Sequence, residues 1–156
     1  MMPLYNIYLK AVEMMQFLLI PLLLTFTRIW VAIVFFRSGY LKLTSWDSTL
    51  YLFELEYQVP ILPWELAAYL GTAAELILPV FLVLGLFTRI FALKLFFFNI
   101  IAVVSYPVLW PGGFYDHQLW GLMILINVIW GAGPFSADYL LNKKMAQKKR
   151  GLSRFH

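Results

Sequence analysis

Apolar residues fall along this chain in four long runs, separated by short stretches that carry charge, glycine or proline. The runs cover about Phe17–Leu41, Trp64–Phe87, about Arg89–Leu109 and about His117–Ala132. A hydrocarbon core of roughly 30 Å takes about 20 residues of helix to cross. The pattern therefore predicts an all-α fold, an integral membrane four-helix bundle. The second and third runs are joined by the very tight turn Gly85–Thr88, which makes them antiparallel neighbours. Pro79 predicts a kink in the second span, with a freed carbonyl for a neighbouring helix to satisfy. Trp110–Asp116, WPGGFYD, reads as a turn.

The segments between the runs differ in character. Met1–Gln16, with Lys10 and Glu13, runs without a break into the first span. Glu13 and the absence of an A-x-A-like site argue against a cleaved signal peptide, so an interfacial lead-in that stays attached is expected. Pro21 suits the first turn of the span behind it. Thr44–Pro63 holds Asp47, Glu54 and Glu56 among aromatics, too polar to span and too apolar to be a free linker. It is predicted to be an interfacial cap segment between helices 1 and 2, a short helix or re-entrant piece. Gly133–Pro134 stops the fourth helix, with Ser136 or Asp138 expected to cap a brief turn. The expected division is a transmembrane domain over residues 1–141 and a basic cytoplasmic tail over 142–156.

Composition supports the membrane reading. The 156 residues are 62% hydrophobic and 13% charged, and the mean hydropathy is +0.78. Soluble domains carry about 25% charged residues. Fourteen Phe, nine Tyr and six Trp suit lipid-facing walls and interfacial belts, so membrane lipids are the first expected partner. The net charge of +4 lies mostly in Lys143–Arg154, which fits topology or anionic headgroups and gives no case for nucleic acid. Lys10, Arg89, Lys94 and the tail put both termini in the cytoplasm by the positive-inside rule. The opposite loops are acidic, with Asp47, Glu54, Glu56, Glu65 and Asp116.

Cysteine is absent, which excludes a thiol relay, an iron–sulfur cluster and covalent haem within the chain. The two histidines, His117 and the terminal His156, offer no paired haem ligation and no expected metal site. No nucleotide-binding or nucleophile-elbow pattern occurs, so the chain has no catalytic motif of its own.

Counting helical rise from the outer ends places Arg28, Glu75, Asn99 and Asn127 at similar depth, one from each span. An ionisable group there costs at least about 2.5 kcal/mol against lipid, so an inward-facing Arg28–Glu75 pair is expected. Two readings stand for this layer: a ligand or proton site organised by that pair, or polar glue between helices. At the outer face Arg37, Tyr40, Lys42, Trp46, Tyr106, Trp110, Tyr115 and His117 could rim a pocket for a quinone headgroup, or form an ordinary aromatic belt. His117 suits coupled proton transfer near neutral pH.

Three pieces in order resemble the DoxX family. RIWVAIVFFRSGYLKL (Arg28–Leu43) is similar to the family's Arg followed by an apolar stretch and a Ser-Gly-x-x-Lys-Leu ending. AAELILPVFLVLGLFTRIFAL (Ala73–Leu93) resembles its Glu in an apolar helix before Leu-Gly-Leu-x-Thr-Arg, and GAGPFSADYLL (Gly131–Leu141) its Gly-x-Gly-x-x-Ser-x-Asp close. Arg28, Ser38, Gly39, Lys42, Glu75, Gly85, Arg89, Gly131, Ser136 and Asp138 are the matching positions. The resemblance implies a small four-helix protein of the bacterial inner membrane. Some relatives, the DoxD type, serve as the membrane subunit of thiosulfate:quinone oxidoreductase, and others accompany oxidative-stress systems, thiol-redox systems or clusters that make metal-chelating peptides. The first functional expectation is thus a redox-accessory subunit that binds a quinone or similar lipid-soluble carrier and works beside an oxidoreductase or peptide-modifying partner. The ligand-binding candidates are Arg28, Glu75, Asn99, Asn127, Arg37, Lys42 and His117. The alternatives are a non-catalytic scaffold that docks a partner and a small-molecule permease, which with four short spans would need a homo-oligomer.

Overall fold

A computed structural model describes residues 2–152. His156 and the last residues of the basic tail lie outside that range. Among the described residues the fold is all helical: α1 (Met2–Thr44), α2 (Trp46–Leu55), α3 (Trp64–Leu84), α4 (Thr88–Ser105), α5 (Trp110–Trp130) and α6 (Ala137–Leu152). A single 3-10 turn, Pro107–Leu109, joins α4 to α5. Three of the helices, α1 from Leu4, α3 and α4, are long and apolar enough to cross a membrane. α5 equals α3 in length at 21 residues, but the polar residues of its first turns keep it out of that group.

α1 packs along α3 and α5, and α4 packs against the other side of the same two helices. Val31, Phe35, Leu82, Ala92, Leu95 and Ile124 fill the space between them. α2 lies across α3 and the end of α1, closing a second small core of Phe53, Ala67 and Ala68. Large apolar side chains cover the outside of the spans, for example Ile33, Ile77, Phe97 and Leu122. Such an outer surface is stable only against lipid or another apolar surface.

Several boundaries differ from the sequence expectation. The lead-in and the first span are one helix of 43 residues, about 64 Å long, with Pro21 in its interior. Proline removes one hydrogen bond there, but nothing else between Met2 and Thr44 breaks the helix, and Thr25 Oγ1 donates to the Pro21 carbonyl at 2.8 Å. Packing on the other helices begins at Leu24, so Leu4–Leu23 project with their side chains almost all exposed.

WPGGFYD is the first two turns of α5 and not a loop. The reversal is made earlier, by Tyr106 and the Pro107 turn, and Pro111 needs no N–H at the start of a helix. The fourth helix is correspondingly longer than expected. At the far end, Ser136 caps α6 by accepting from the Tyr139 N–H at 3.2 Å, and α6 runs for 16 residues where a brief turn was expected.

Glycine fixes the register of α1 on α3. A Cβ on Gly39 would stand 2.8 Å from Glu75 Cβ and 3.1 Å from its backbone carbon, so the two helices touch here almost backbone to side-chain root. Gly112, in the first turn of α5, has nothing within 4 Å of the same construction. Gly39→Ala should therefore lower stability by about 1–3 kcal/mol through overpacking, whereas Gly112→Ala should be neutral or stabilising by about 0.4–1 kcal/mol. Unfolding of the two variants in detergent tests the contrast, and equal effects would refute the close approach.

Candidate functional site

Glu75 sits in the middle of α3, one turn before Pro79, and is 6% exposed. Its partner is Lys42, near the end of α1. Lys42 Nζ donates to Glu75 Oε1 at 2.8 Å and to Oε2 at 2.6 Å, and to Ser38 Oγ at 2.9 Å. Ser38 in turn donates to Glu75 Oε1 at 3.2 Å. Ser38 and Lys42 are four residues apart and so share one face of α1. Gly39, between them, lets that face approach closely enough for the triad to close. An ion pair out of water survives only with such geometry and with its remaining protons satisfied.

Two cavities adjoin the pair. One, about 260 Å³, lies under the α2 segment and is lined by Phe53, Tyr57, Leu70, Phe98, Ile101 and Ser105 as well as Lys42 and Glu75. The other, about 180 Å³, is more polar and is bordered by Ser38, Lys42, Glu75, Tyr57, Tyr106, His117 and Trp120. Tyr57 borders both. Its ring stacks on Phe53 at 4.3 Å on one side and on Tyr106 at 4.4 Å on the other. The segment is tied down by three hydrogen bonds: Thr49 Oγ1 to the Lys42 carbonyl (3.0 Å), the Gln58 N–H to the Ser105 carbonyl (2.7 Å) and Tyr106 OH to Glu56 Oε2 (2.8 Å). Burial, and then the Glu75 charge, pushes the Tyr57 phenol up. The hydrogen bond to Glu56, and then burial, does the same for Tyr106. Both tyrosines are neutral hydroxyls at physiological pH.

His117 and Asn99 form a two-point contact between α5 and α4. Asn99 Nδ2 donates to the His117 carbonyl at 2.9 Å, and Asn99 Oδ1 lies 2.7 Å from His117 Nδ1. The imidazole is held edge-on between Phe35 and Trp120. On its other side an open groove between α4 and α5, about 510 Å³, is lined by Phe96, Asn99, Phe114, His117 and Gln118. Gly121 gives Asn99 room, because a Cβ there would lie 3.3 Å from Nδ2.

Arg28 does not meet Glu75, and the expected pair is corrected here. Arg28 Nη1 donates to the Ala132 carbonyl at 3.0 Å and Nη2 to the Phe135 carbonyl at 2.6 Å. Fourteen residues of helix separate it from Lys42, about 21 Å. It belongs to a second polar cluster, at the C-terminal end of α3. There Gly85, in the left-handed region at φ 64°, leaves no space for a side chain beside the guanidinium and Ser136. Asp138 accepts from the Phe87 and Thr88 N–H groups at 2.7 and 2.9 Å, so it caps α4 and not its own helix. Asn127 joins this cluster through Thr27 Oγ1 at 3.0 Å. The single polar layer expected from helical rise is in fact two layers. Counting failed because α1 stops short of the outer end of α3, with Gly39 already level with Glu75, and because α5 starts seven residues early.

The outer-face candidates also separate. Lys42, Tyr106 and His117 reach the small cavity, and Trp46 packs on Tyr69. Tyr40, Trp110 and Tyr115 are exposed, and Arg37 borders a shallow groove with Pro79 and Val83 on another side of α1. Residue-by-residue reasoning missed Phe53, Tyr57, Ser105 and Trp120. None carries a sequence signal beyond aromatic or polar type, since their convergence depends on how the α2 segment folds back. Ser38 was flagged only by the family resemblance.

The family model described as DoxX matches residues 23–107. That interval is more than half of the chain and contains Arg28, Ser38, Gly39, Lys42, Glu75, Gly85 and Arg89, while Gly131, Ser136 and Asp138 lie beyond it. No curated protein and no solved structure matches the chain. With both polar clusters built largely from the family's motif positions, and the match spanning α1 through α4, this membrane protein belongs to the DoxX family.

Proposed function

We propose that this chain binds a quinone or a comparable lipid-soluble carrier beside the Lys42–Glu75 pair and acts as the redox-accessory membrane subunit of an oxidoreductase. One observation carries this reading: the pair stands where an apolar chamber and a polar cavity adjoin, with aromatic rings between them. A planar headgroup with an apolar tail has that same division. In this reading α1, α3, α4 and α5 are the four spans, with residues 1–141 as the transmembrane domain. α2 caps the bundle at the outer face of a bacterial inner membrane. Both termini and the 142–156 tail are cytoplasmic, as the basic α6 favours. Arg28 and Asn127 then serve the fold, while Lys42, Glu75, Asn99 and His117 serve the ligand.

Titration of the purified protein with short-chain ubiquinone and menaquinone analogues, each in oxidised and reduced form, tests this by tryptophan fluorescence. Saturable binding of at least one form is expected. Glu75→Gln should weaken it roughly tenfold to hundredfold, as loss of a charge-assisted hydrogen bond does. No saturable binding of any form would sink the proposal.

A second measurement separates ligand binding from glue. Lys42→Met leaves a buried carboxylate unpaired and should cost about 3–5 kcal/mol of stability. The double variant K42M/E75L should recover most of that loss in an unfolding titration. If the pair is only structural, the double variant also keeps whatever binding the wild type has; under the proposal it folds and does not bind.

A further inference from the structure

The hydrogen-bonding inventory around the two cavities is lopsided. Lys42 has three N–H groups, and Glu75 Oε1, Glu75 Oε2 and Ser38 Oγ take all three. The Ser38 hydroxyl proton goes to Glu75 Oε1 and the Tyr106 proton to Glu56. The cation that would be expected to greet a ligand carbonyl is therefore fully engaged. Glu75 has about four acceptor positions and uses three, which leaves one open on Oε2.

His117 supplies a second open acceptor, and the reason is the Asn99 contact. The His117 backbone carbonyl can only accept, so the Asn99 atom 2.9 Å from it must be the amide NH₂. That orientation turns Asn99 Oδ1 toward Nδ1 at 2.7 Å, and since Oδ1 can only accept, Nδ1 must carry the proton. In the neutral ring Nε2 is then a bare acceptor, and no described residue donates to it. Ser105 Oγ, 1% exposed and without a partner among the described residues, lines the larger chamber and can act either way. The Tyr57 hydroxyl, also without a described partner, is equally ambivalent. The Trp120 indole is the one dedicated donor on the lining that is not already engaged among the described residues.

Resting on the binding function proposed above, we infer that the site selects the hydroxyl-bearing, reduced form of its carrier over the oxidised form. A quinol-class headgroup in the small cavity donates one hydroxyl to Glu75 Oε2 and the other to His117 Nε2. Its oxygens accept from Trp120 or Tyr57, and its apolar substituents occupy the chamber under α2, beside Ser105. A quinone has acceptors only and leaves Glu75 and His117 facing its carbonyl oxygens without a proton between them. Polar groups left unpaired in a dry site are what discriminate most strongly against an otherwise isosteric ligand. Asn99 is a positioning residue here, acting through the tautomer of His117.

The test compares three probes of one shape in detergent-solubilised full-length protein under anaerobic conditions. These are a short-chain ubiquinone analogue, the same compound held reduced with dithionite, and its dimethyl ether, which has no hydroxyl proton. The quinol should bind about tenfold to hundredfold more tightly than either of the others. His117→Phe keeps an aromatic ring between Phe35 and Trp120 and should shrink that preference toward parity. Trp120→Phe removes the dedicated donor and should weaken the quinone while leaving the quinol preferred. Melting curves of both variants confirm that they are folded. Equal or tighter binding of the quinone, or a preference unchanged by His117→Phe, overturns the inference and leaves the binding function standing. Failure of all three probes and of their menaquinone counterparts to saturate overturns both.

Discussion

A carboxylate halfway along an apolar helix constrains everything packed around it. Glu75 cannot face lipid without protonation or a steep desolvation cost, so some neighbouring element has to bring a cation to it. Lys42 is that cation, and its four methylenes let the ammonium reach inward from near the end of α1. Once the pair forms, the register of α1 on α3 has no freedom left. Gly39 must lie against the Glu75 Cβ, and Ser38 must take the third lysine proton. The α2 segment then folds back over the exposed flank, with Thr49 held by the Lys42 carbonyl and Tyr57 stacked on Tyr106 at the rim of both cavities.

The C-terminal end of α3 is held by different chemistry. Arg28 satisfies two carbonyls of the α5–α6 connection, which no longer have helical partners. Asp138 satisfies two N–H groups at the start of α4, where the helix dipole also favours its charge. The two clusters lie about 15 Å apart along α3, from Glu75 to Gly85, with the apolar core of Val31, Phe35 and Leu82 between them. Polar contacts thus fix the bundle at two levels and dispersion fills the space between them. The two clusters differ in what they leave open. At Arg28 the guanidinium is packed against backbone, and the space beside its cluster is an open groove of about 720 Å³ lined by Thr88, Arg89, Ser136 and Asp138, whereas the Glu75 pair itself borders two more enclosed chambers.

That difference is why a ligand is proposed at the Glu75 cluster and not at the Arg28 cluster. Family motif positions occur in both, so motif membership by itself does not distinguish binding from architecture. Geometry distinguishes them: Gly85 fills its space with the guanidinium and Ser136, while Tyr57 and Tyr106 form a wall that leaves cavities on either face. His117 extends the open cluster toward the groove between α4 and α5, so the polar cavity is separated from that groove by a single imidazole ring.

By itself the sequence determined that the chain is helical and lipid-facing, because run length and apolar content depend on local composition alone. It also determined the tight α3–α4 turn, through Gly85, and the family, through residues such as Ser38, Lys42 and Glu75 that stay in order along the chain. Only the tertiary structure decided that Glu75 pairs with Lys42 and not Arg28. Depth counted along separate helices assumes a common starting level, and α1, α3 and α5 do not share one. The WPGGFYD stretch misled for a related reason: proline and glycine permit a turn but do not impose one, and the reversal went to Tyr106–Leu109 instead. The chambers were invisible for the same cause at longer range, since Tyr57, Ser105 and Trp120 meet only after three separate helices and a folded-back segment have found their register.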